Sequence, residues 1–263
     1  MFQLSFADTA DRQPSAGLRH WRDYLVPQQW ERFTAAEHRV WDKLFARQLP
    51  YLGTRIVAPF LEGIPALGLD HPGIPQLSRL NDRLERLTGW QCVSVPGLVP
   101  DEAFFAMLAE KCFPIGNFIR GADSLDYLEE PDCFHDIFGH VPLLAHGPVA
   151  RLMQSIGGLG VAAVTAGLGE TISRLYWHTV EFGLAREGGE VKILGAGLAS
   201  SFGEAHFAIE ADVKRPRFTL KDAASTAYRS DAFQPLYFVS DSLEHAAAEL
   251  EAMDLAQLKA LAG

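Results

Sequence analysis

The composition of this 263-residue chain is that of an ordinary globular protein, with 48% hydrophobic and 21% charged residues. Its formal net charge of −10 argues against a general nucleic-acid-binding role. No apolar run is long enough to span a membrane, and the first residues lack the basic and apolar regions of a secretion signal. The three scattered cysteines, Cys92, Cys112 and Cys133, cannot form a disulfide framework, so we expect a cytoplasmic protein.

The predicted elements are mostly helical. We expect a polar arm over residues 1–20 and a single domain over 21–263. Hydrophobic periodicity predicts helices over 34–49, 76–88, 101–111, 148–156, 169–186 and 242–262. Short strands are predicted over 90–95, 113–119, 191–194 and 236–239. Strands this short and irregularly placed favour a mostly α fold with minor β structure over a doubly wound sheet.

Local signals mark the ends of several predicted helices. Thr34 and Glu37 have the spacing of a capping box, Gly89 stops the second helix, and Ser242 caps the last one.

The strongest functional signal is a pair of histidines, His135 and His140, five residues apart. On an ideal α-helix, residues at this spacing point about 140° apart, so an unbroken helix could not direct both imidazoles at one ion. We expect Gly139 to relax the backbone and Pro142 to end the helix near Val141, which would let His140 swing back toward His135.

Either histidine alone could be a buried structural residue. The pair is flanked by Asp132 and Asp136, and carboxylates near ligand histidines commonly orient their imidazoles. This arrangement favours a metal site. Cys133 is also close, but a small buried hydrophobic role is the better interpretation.

Glu181 is the best candidate for a third ligand because it lies among aromatic and aliphatic residues that leave little polar surface. A buried carboxylate needs a cation or strong hydrogen bonds. The alternatives are a solvated helix face, or an ion pair with Arg174 or Arg186.

Two imidazoles and one carboxylate on one face of an octahedron form the ligand set of non-haem iron(II) oxygenases. Zinc hydrolases use the same residue types, but their helical motif spaces the histidines four apart, with a glutamate after the first. Here the spacing is five and Asp136 follows His135, so iron chemistry is favoured. The sequence has no cluster cysteines or haem-attachment motif, so the electrons must come from a small cofactor or co-substrate.

Two glycine-rich segments imitate a dinucleotide-binding motif, at 158–163 and 195–200. The first lacks a preceding strand, and the second is too compressed for a strand–helix–strand unit of about 30 residues. We expect both segments to provide tight backbone near a ligand.

Four ordered segments resemble the pterin-dependent aromatic amino acid hydroxylases, and most closely the bacterial members that act on phenylalanine. The segments are HDIFGHVPL from His135, YWHTVEFG from Tyr176, GAGLASSFGE from Gly195 and FQPLYFV from Phe233. The resemblance extends over about residues 23–247.

The resemblance implies a single catalytic domain in which helices surround an iron-containing cleft. It implies that His135, His140 and Glu181 bind iron(II). It also implies that the enzyme is a phenylalanine 4-monooxygenase, which uses dioxygen and a tetrahydropterin to convert L-phenylalanine to L-tyrosine.

The resemblance also implies roles for other residues. Arg120 would bind the substrate carboxylate with help from Ser200, as a guanidinium fork suits a carboxylate. The substrate ring would lie against Pro131, His135, Trp177, Phe182 and Gly197. The pterin would stack on Phe104 and contact backbone near Gly97 and Leu98. From the residues alone, a surface ion pair for Arg120 with Asp123 or Asp126 and core packing for the aromatic residues are the alternatives.

Residues 128–130 read Leu-Glu-Glu where animal members have Thr-Pro-Glu, so details of that loop do not transfer. No segment resembles the regulatory domain or tetramerisation helix of animal members, so we expect a monomer with small-molecule partners only. Two alternatives stay open: a hydroxylase of the same fold acting on tryptophan or another ring position, and a zinc-loaded or non-catalytic metal-binding protein.

Overall fold

Helices make up most of the structure, a computed structural model that describes residues 20–126, 130–229 and 232–263. The helices are α1 (Ala35–Leu52), α2 (Ala58–Leu67), α3 (Leu77–Thr88), α4 (Asp101–Ala109), α5 (Val141–Leu144), α6 (Gly147–Thr165), α7 (Gly169–Tyr176), α8 (Ala196–Ser200), α9 (Phe202–Glu210), α10 (Leu220–Ser225), α11 (Leu243–Glu251) and α12 (Leu255–Ala262). There are also two π-helices in the described residues: π1 (His135–His140) directly precedes α5, and π2 (Trp177–Glu181) directly follows α7. Two 3-10 turns lie at Trp21–Tyr24 and Trp30–Arg32. The prediction of a mostly α fold is confirmed. The predicted arm lies outside the described residues except for His20.

The predicted helix-end signals at the three sites are confirmed. The Thr34 side chain accepts the Glu37 backbone N–H at 3.3 Å, and Glu37 accepts the Thr34 N–H at 2.7 Å. Gly89 ends α3 with φ = 75°, a left-handed conformation that favours glycine. Ser242 caps α11 by accepting the His245 N–H at 3.0 Å.

Helix α6 is longer than predicted. It continues through Gly158 and Gly160, which were expected to form tight backbone near a ligand. A Cβ on Gly157 would lie 2.3 Å from Ala109 N, and one on Gly160 would lie 2.3 Å from the Phe105 ring. These glycines therefore let α6 and α4 pack closely, and the expectation for residues 158–163 was wrong.

Two long helices predicted from the sequence are each divided. The one predicted over 169–186 becomes α7, then π2, and then strand β3 (Leu184–Glu187). The one predicted over 242–262 breaks after α11, and Asp254 starts α12 with its own capping box. Apolar periodicity continues across both breaks, so it could not reveal them.

The β structure forms two small sheets. Strands β1 (Gln91–Val95) and β2 (Cys112–Gly116) form a parallel pair. In the second sheet β3 lies between β4 (Glu190–Ile193), which is antiparallel to it, and β5 (Val239–Ser240), which is parallel. The strand predicted over 236–239 is shorter than expected, since Leu236 forms only an isolated bridge to Lys214.

The core surrounds the two π-helices. Trp41 on α1 packs edge-on against Phe134 just before π1, at 5.2 Å between ring centroids, and Phe60 on α2 packs against Phe138 inside π1 at 5.5 Å. Helix α8 packs against both π-helices. None of the helices in the described part of the chain has both the length and the apolar character needed to cross a membrane.

Candidate metal centre

His135 and His140 converge because they lie at the two ends of π1. A π-helix bonds each residue to the one five positions along, so residues five apart return to the same side of the helix. Their Nε2 atoms lie 3.1 Å apart. The structure brings the imidazoles together as expected, but the expected cause was wrong. Pro142 does not end the helix, because the backbone stays helical through His140 and Val141 and continues into α5, which contains Pro142.

Glu181 is the last residue of π2 and is only 6% exposed. Its Oε1 lies 3.1 Å from His140 Nε2, and its Oε2 lies 3.8 Å from His135 Nε2. Burial excludes the solvated helix face. Arg174 pairs with Glu170 and donates to Ala224 O, so it does not serve as the partner of Glu181.

The three side chains fit a metal ion. Adjacent ligands in an octahedral site, each about 2.1 Å from the ion, lie about 3 Å apart. His140 Nε2 lies 3.1 Å from both His135 Nε2 and Glu181 Oε1, which matches this spacing, and one donor atom from each of the three residues lies within 4.8 Å of the others. In the described residues Glu181 Oε2 is also buried without a hydrogen-bond partner, which is costly unless a cation binds there.

Ser200 fixes the tautomer of His135. The Ser200 Oγ lies 2.8 Å from His135 Nδ1 and donates its own hydrogen to Ala196 O at 2.9 Å. The hydrogen-bond network therefore places a proton on Nδ1, which donates to Ser200, and leaves Nε2 unprotonated, the form that binds a metal.

Charge and burial favour the protonation states that bind a metal. Burial lowers the pKa of His135 to about 3, so its imidazole is neutral. For Glu181, burial acts to raise the pKa, but the neighbouring His140 and His135 outweigh it and hold the pKa below its usual value. A neutral imidazole and an ionised carboxylate are the forms that bind a cation.

Asp132 and Asp136, expected to orient the imidazoles, bond elsewhere. Asp132 is fully buried and accepts two hydrogen bonds at 2.9 Å from the Arg120 guanidinium and one at 3.0 Å from the His135 backbone N–H. Asp136 accepts the Gly116 N–H at 2.7 Å, and burial raises its pKa well above the usual value. The carboxylates thus hold the backbone around π1, while the side-chain contact to the imidazole comes from Ser200.

A cleft opens beside the three ligands. It is lined by Val95, Gly97, Leu98, Val99, Phe104, Phe113, Pro114, Gly116, Pro131, Asp136, Tyr176, Trp177 and the three ligands. The structure therefore brings five of the proposed substrate and pterin residues into one largely apolar space beside the metal centre: Gly97, Leu98, Phe104, Pro131 and Trp177.

The other four proposed residues lie around the ligands without lining this cleft. Phe182 follows Glu181 and stacks on Trp177 at 5.4 Å. A Cβ on Gly197 would lie 2.9 Å from the Phe182 ring and 3.2 Å from Glu181 Oε2. Ser200 contacts His135, as described above. Arg120 is buried and forms an ion pair with Asp132. The alternative of a surface ion pair with Asp123 or Asp126 was therefore wrong.

The glycines at 195 and 197 allow close backbone packing against the metal centre. A Cβ on Gly195 would lie 2.2 Å from the carbonyl oxygen of Glu181. The helix that follows, α8, has only five residues, which agrees with the rejection of a dinucleotide site.

Tyr176 was not assigned a role from the sequence. It is 1% exposed, lines the cleft, and packs edge-on against Phe104 with 5.5 Å between ring centroids. Burial and the nearby Glu181 carboxylate raise the pKa of its hydroxyl well above the usual value. Its spacing of five from Glu181 equals that of the two histidines, a signal that is informative only once π-helical geometry is known.

The fold and the three converging side chains fit a mononuclear metal centre of the two-histidine, one-carboxylate class found in non-haem iron oxygenases. Residues 22–259 match the family model of the biopterin-dependent aromatic amino acid hydroxylases, and the chain belongs to this family. It is 46% identical to phenylalanine-4-hydroxylase of Caulobacter vibrioides, over 90% of this chain and 80% of that protein. It is 47% identical to phenylalanine-4-hydroxylase of Ralstonia nicotianae, over 84% and 71%.

Solved structures of phenylalanine hydroxylase share this fold. Phenylalanine hydroxylase from Chromobacterium violaceum bound to cobalt matches with a TM-score of 0.88 and 40% identity, covering 94% of this chain and 90% of that one. The structure of that protein with bound oxidised Fe(III) matches with a TM-score of 0.86 and 41% identity, covering 92% and 88%. This chain is therefore a pterin-dependent, non-haem iron monooxygenase whose cofactors are iron and a pterin.

Proposed function

We propose that the chain is a phenylalanine 4-monooxygenase that converts L-phenylalanine to L-tyrosine with dioxygen and a tetrahydropterin. The observation that carries the proposal is the convergence of His135, His140 and Glu181 beside a largely apolar cleft. The bacterial relatives named phenylalanine-4-hydroxylase supply the choice of substrate.

The three converging residues are the proposed iron ligands. Iron and pterin, when bound, activate dioxygen and supply the electrons for hydroxylation, and the protein supplies position and a dry site. Ser200 and the Asp132 contacts to the backbone hold the ligand imidazole of His135 in one orientation.

The ring of the substrate is proposed to bind against Pro131 and Trp177, with Phe182 and Gly197 behind them. Trp177 stacks with two other rings, Phe182 at 5.4 Å and Tyr228 at 4.4 Å with an interplanar angle of 8°. A rigid aromatic wall of this kind buries a benzyl group at little cost in side-chain entropy.

The pterin is proposed to stack on Phe104 and to contact the backbone at Gly97 and Leu98. The Leu98 N–H donates to Glu130 Oε1 at 2.9 Å, which fixes this edge of the cleft. Phe104 is buried and is braced by Phe105 and Tyr176. A flat heterocycle suits an aromatic platform whose orientation is fixed by packing.

Arg120 is proposed to bind the carboxylate of the substrate, with Ser200 assisting. Three of the five guanidinium N–H groups donate to Asp132 and to Leu125 O. The other two have no partner in the described residues. The bidentate pair with Asp132 fixes the plane of the guanidinium, so these two donors are held in place for a ligand.

Product analysis tests the function. The protein is loaded with iron(II), supplied with a tetrahydropterin, and offered phenylalanine, tyrosine and tryptophan in turn. We expect L-tyrosine from L-phenylalanine as the main product. A dominant product from tryptophan, or a ring position other than para, would overturn the substrate assignment. Retention of zinc, with iron unable to restore turnover, would support the non-catalytic alternative.

Arg120→Lys tests the carboxylate role because lysine keeps the charge but removes the fork. We expect the preference for L-phenylalanine over phenethylamine, which lacks the carboxylate, to fall in the variant. An unchanged preference in a folded variant would refute the role.

We also propose that residues 21–263 form one catalytic domain, and that the enzyme is a cytoplasmic monomer with small-molecule partners only. The continuous core around the two π-helices supports the single domain. Sedimentation equilibrium tests the oligomeric state, and a stable tetramer would refute it.

A further inference from the structure

A second cavity shares the His140 wall of the active-site cleft. Its lining comes from π1, α5, α6, π2, the Leu194–Ala196 segment and α11: Gly139, His140, Leu143, Leu144, Val149, Leu152, Met153, Thr179, Val180, Leu194, Ala196, Leu243 and Ala246. The cavity measures about 30 Å³ for the centres of water-sized spheres. The proposed roles of the cleft residues make no use of it.

The lining of the cavity offers water few hydrogen-bond partners. His140 and Thr179 are the only polar side chains among the described residues that line it. The Thr179 hydroxyl is occupied, since it donates to Leu175 O in the last turn of α7 at 2.6 Å. A buried water needs two to four polar partners, and cavities lined by aliphatic side chains stay dry and bind apolar molecules instead.

The size of the cavity suits a small occupant. One water needs roughly 10–15 Å³, so a volume of about 30 Å³ is large enough for a diatomic molecule. Every lining residue except Val180 is buried, so the cavity lies largely among core side chains.

We propose that this cavity is a dioxygen site that supplies the metal centre from behind His140, separately from the cleft. The inference rests on the proposed function, because only an enzyme that consumes dioxygen has a use for such a site. Dioxygen is small and apolar, and it partitions into dry aliphatic space more readily than into water. The cleft would then be free to close over the amino acid and the pterin without blocking the gas.

Xenon tests the binding site independently of catalysis. Crystals of the metal-loaded protein are pressurised with xenon, and anomalous scattering locates the bound gas. We expect a xenon peak between Leu152, Thr179 and Ala246. No peak there, at a pressure that fills other apolar cavities of the crystal, would overturn the proposal whether or not the enzyme forms tyrosine.

Filling the cavity tests the supply role. Ala246→Leu adds three carbon atoms at the lining, and Ala247→Leu adds the same atoms to a neighbouring buried position that does not line the cavity. We expect Ala246→Leu to abolish the xenon peak and to raise the KM for dioxygen several-fold, with kcat at saturating dioxygen and the KM values for phenylalanine and pterin unchanged. Ala247→Leu should change neither xenon binding nor the KM for dioxygen.

The smaller Ala246→Val replaces Ala246→Leu if overpacking prevents folding. An unchanged KM for dioxygen in a folded variant that no longer binds xenon would overturn the supply role. An equal rise in the KM for dioxygen in Ala246→Leu and Ala247→Leu would also overturn the supply role, because it would show a general packing effect. Absence of tyrosine formation in the parent protein would instead refute the proposed function and leave the xenon result to be judged by itself.

Discussion

Replacing Ser200 with alanine should weaken metal binding without unfolding the protein. The Ser200 hydroxyl accepts the Nδ1 proton of His135 at 2.8 Å, and His135 is 3% exposed. Removing an acceptor from a buried N–H costs about 1–3 kcal/mol. As a loss of binding free energy, this cost would correspond to roughly a 5- to 150-fold loss of metal affinity, which includes the range of about 10- to 100-fold typical for residues that orient a ligand histidine.

The assay is competition for iron(II) or cobalt(II) with a chelator of known affinity. Ser201→Ala is the matched control, because Ser201 is adjacent to Ser200 and its hydroxyl bonds to the backbone of α9 and not to a proposed metal ligand. Its hydroxyl caps α9 by accepting the Glu204 N–H at 3.4 Å. We expect Ser201→Ala to lower the free energy of unfolding by about 1 kcal/mol and to leave the metal Kd unchanged.

The same variants separate the two roles suggested for Ser200. If the hydroxyl mainly orients His135, the metal Kd rises in Ser200→Ala at every phenylalanine concentration. If it mainly contacts the substrate carboxylate, only the KM for phenylalanine rises. A Ser200→Ala protein that binds metal as tightly as the parent would refute the orientation argument.

Four further variants probe the metal centre and the structure around it. Glu181→Ala should weaken iron binding and nearly abolish turnover; retention of both, measured by metal analysis and tyrosine formation, would contradict the ligand assignment. Gly158→Ala, which meets no atom within 4 Å, should stabilise α6 by about 0.5–1 kcal/mol, whereas Gly157→Ala, with its Cβ 2.3 Å from Ala109 N, should destabilise it in urea unfolding. Burial raises the pKa of Glu204 from 4.5 to about 7, so the folded state holds the extra proton and stability should fall as pH rises between these values. Glu204→Gln should remove this decrease in the free energy of unfolding, which amounts to about 3 kcal/mol at most.

The sequence was informative where residue type alone determines chemistry. The ligand set His135, His140 and Glu181 follows from two imidazoles and a carboxylate in apolar surroundings, and the capping box of α1 follows from Thr34 and Glu37. The histidine pair and the capping box depend on short spacings that the fold then preserves, whereas Glu181 is distant in the sequence and was proposed from its apolar surroundings. The mostly helical class follows equally well from hydrophobic periodicity.

The sequence was less informative where the backbone departs from α geometry. The π-turn at His135–His140 has no residue signature of its own, so convergence of the histidines was attributed to Gly139 and Pro142. Contacts between residues distant in the sequence could not be predicted either. The Ser200–His135 bond spans 65 residues, and no spacing rule connects them. The nearer carboxylates at 132 and 136 were therefore favoured as orienting groups, although their partners are Arg120 and backbone N–H groups.

The metal centre depends on α8 as much as on the ligands themselves. This five-residue helix packs against both π-helices, and its contacts reach each of them at short range. A Cβ on Gly139 in π1 would lie 2.8 Å from Ala196 O, and one on Gly195, just before α8, would lie 2.2 Å from Glu181 O. Ser200, at the other end of α8, holds His135. Because the two π-helices belong to distant parts of the chain, α8 sets the distance between the histidine pair and the glutamate. Substitutions that move α8 should therefore change metal affinity more than equal-sized substitutions on the far wall of the cleft.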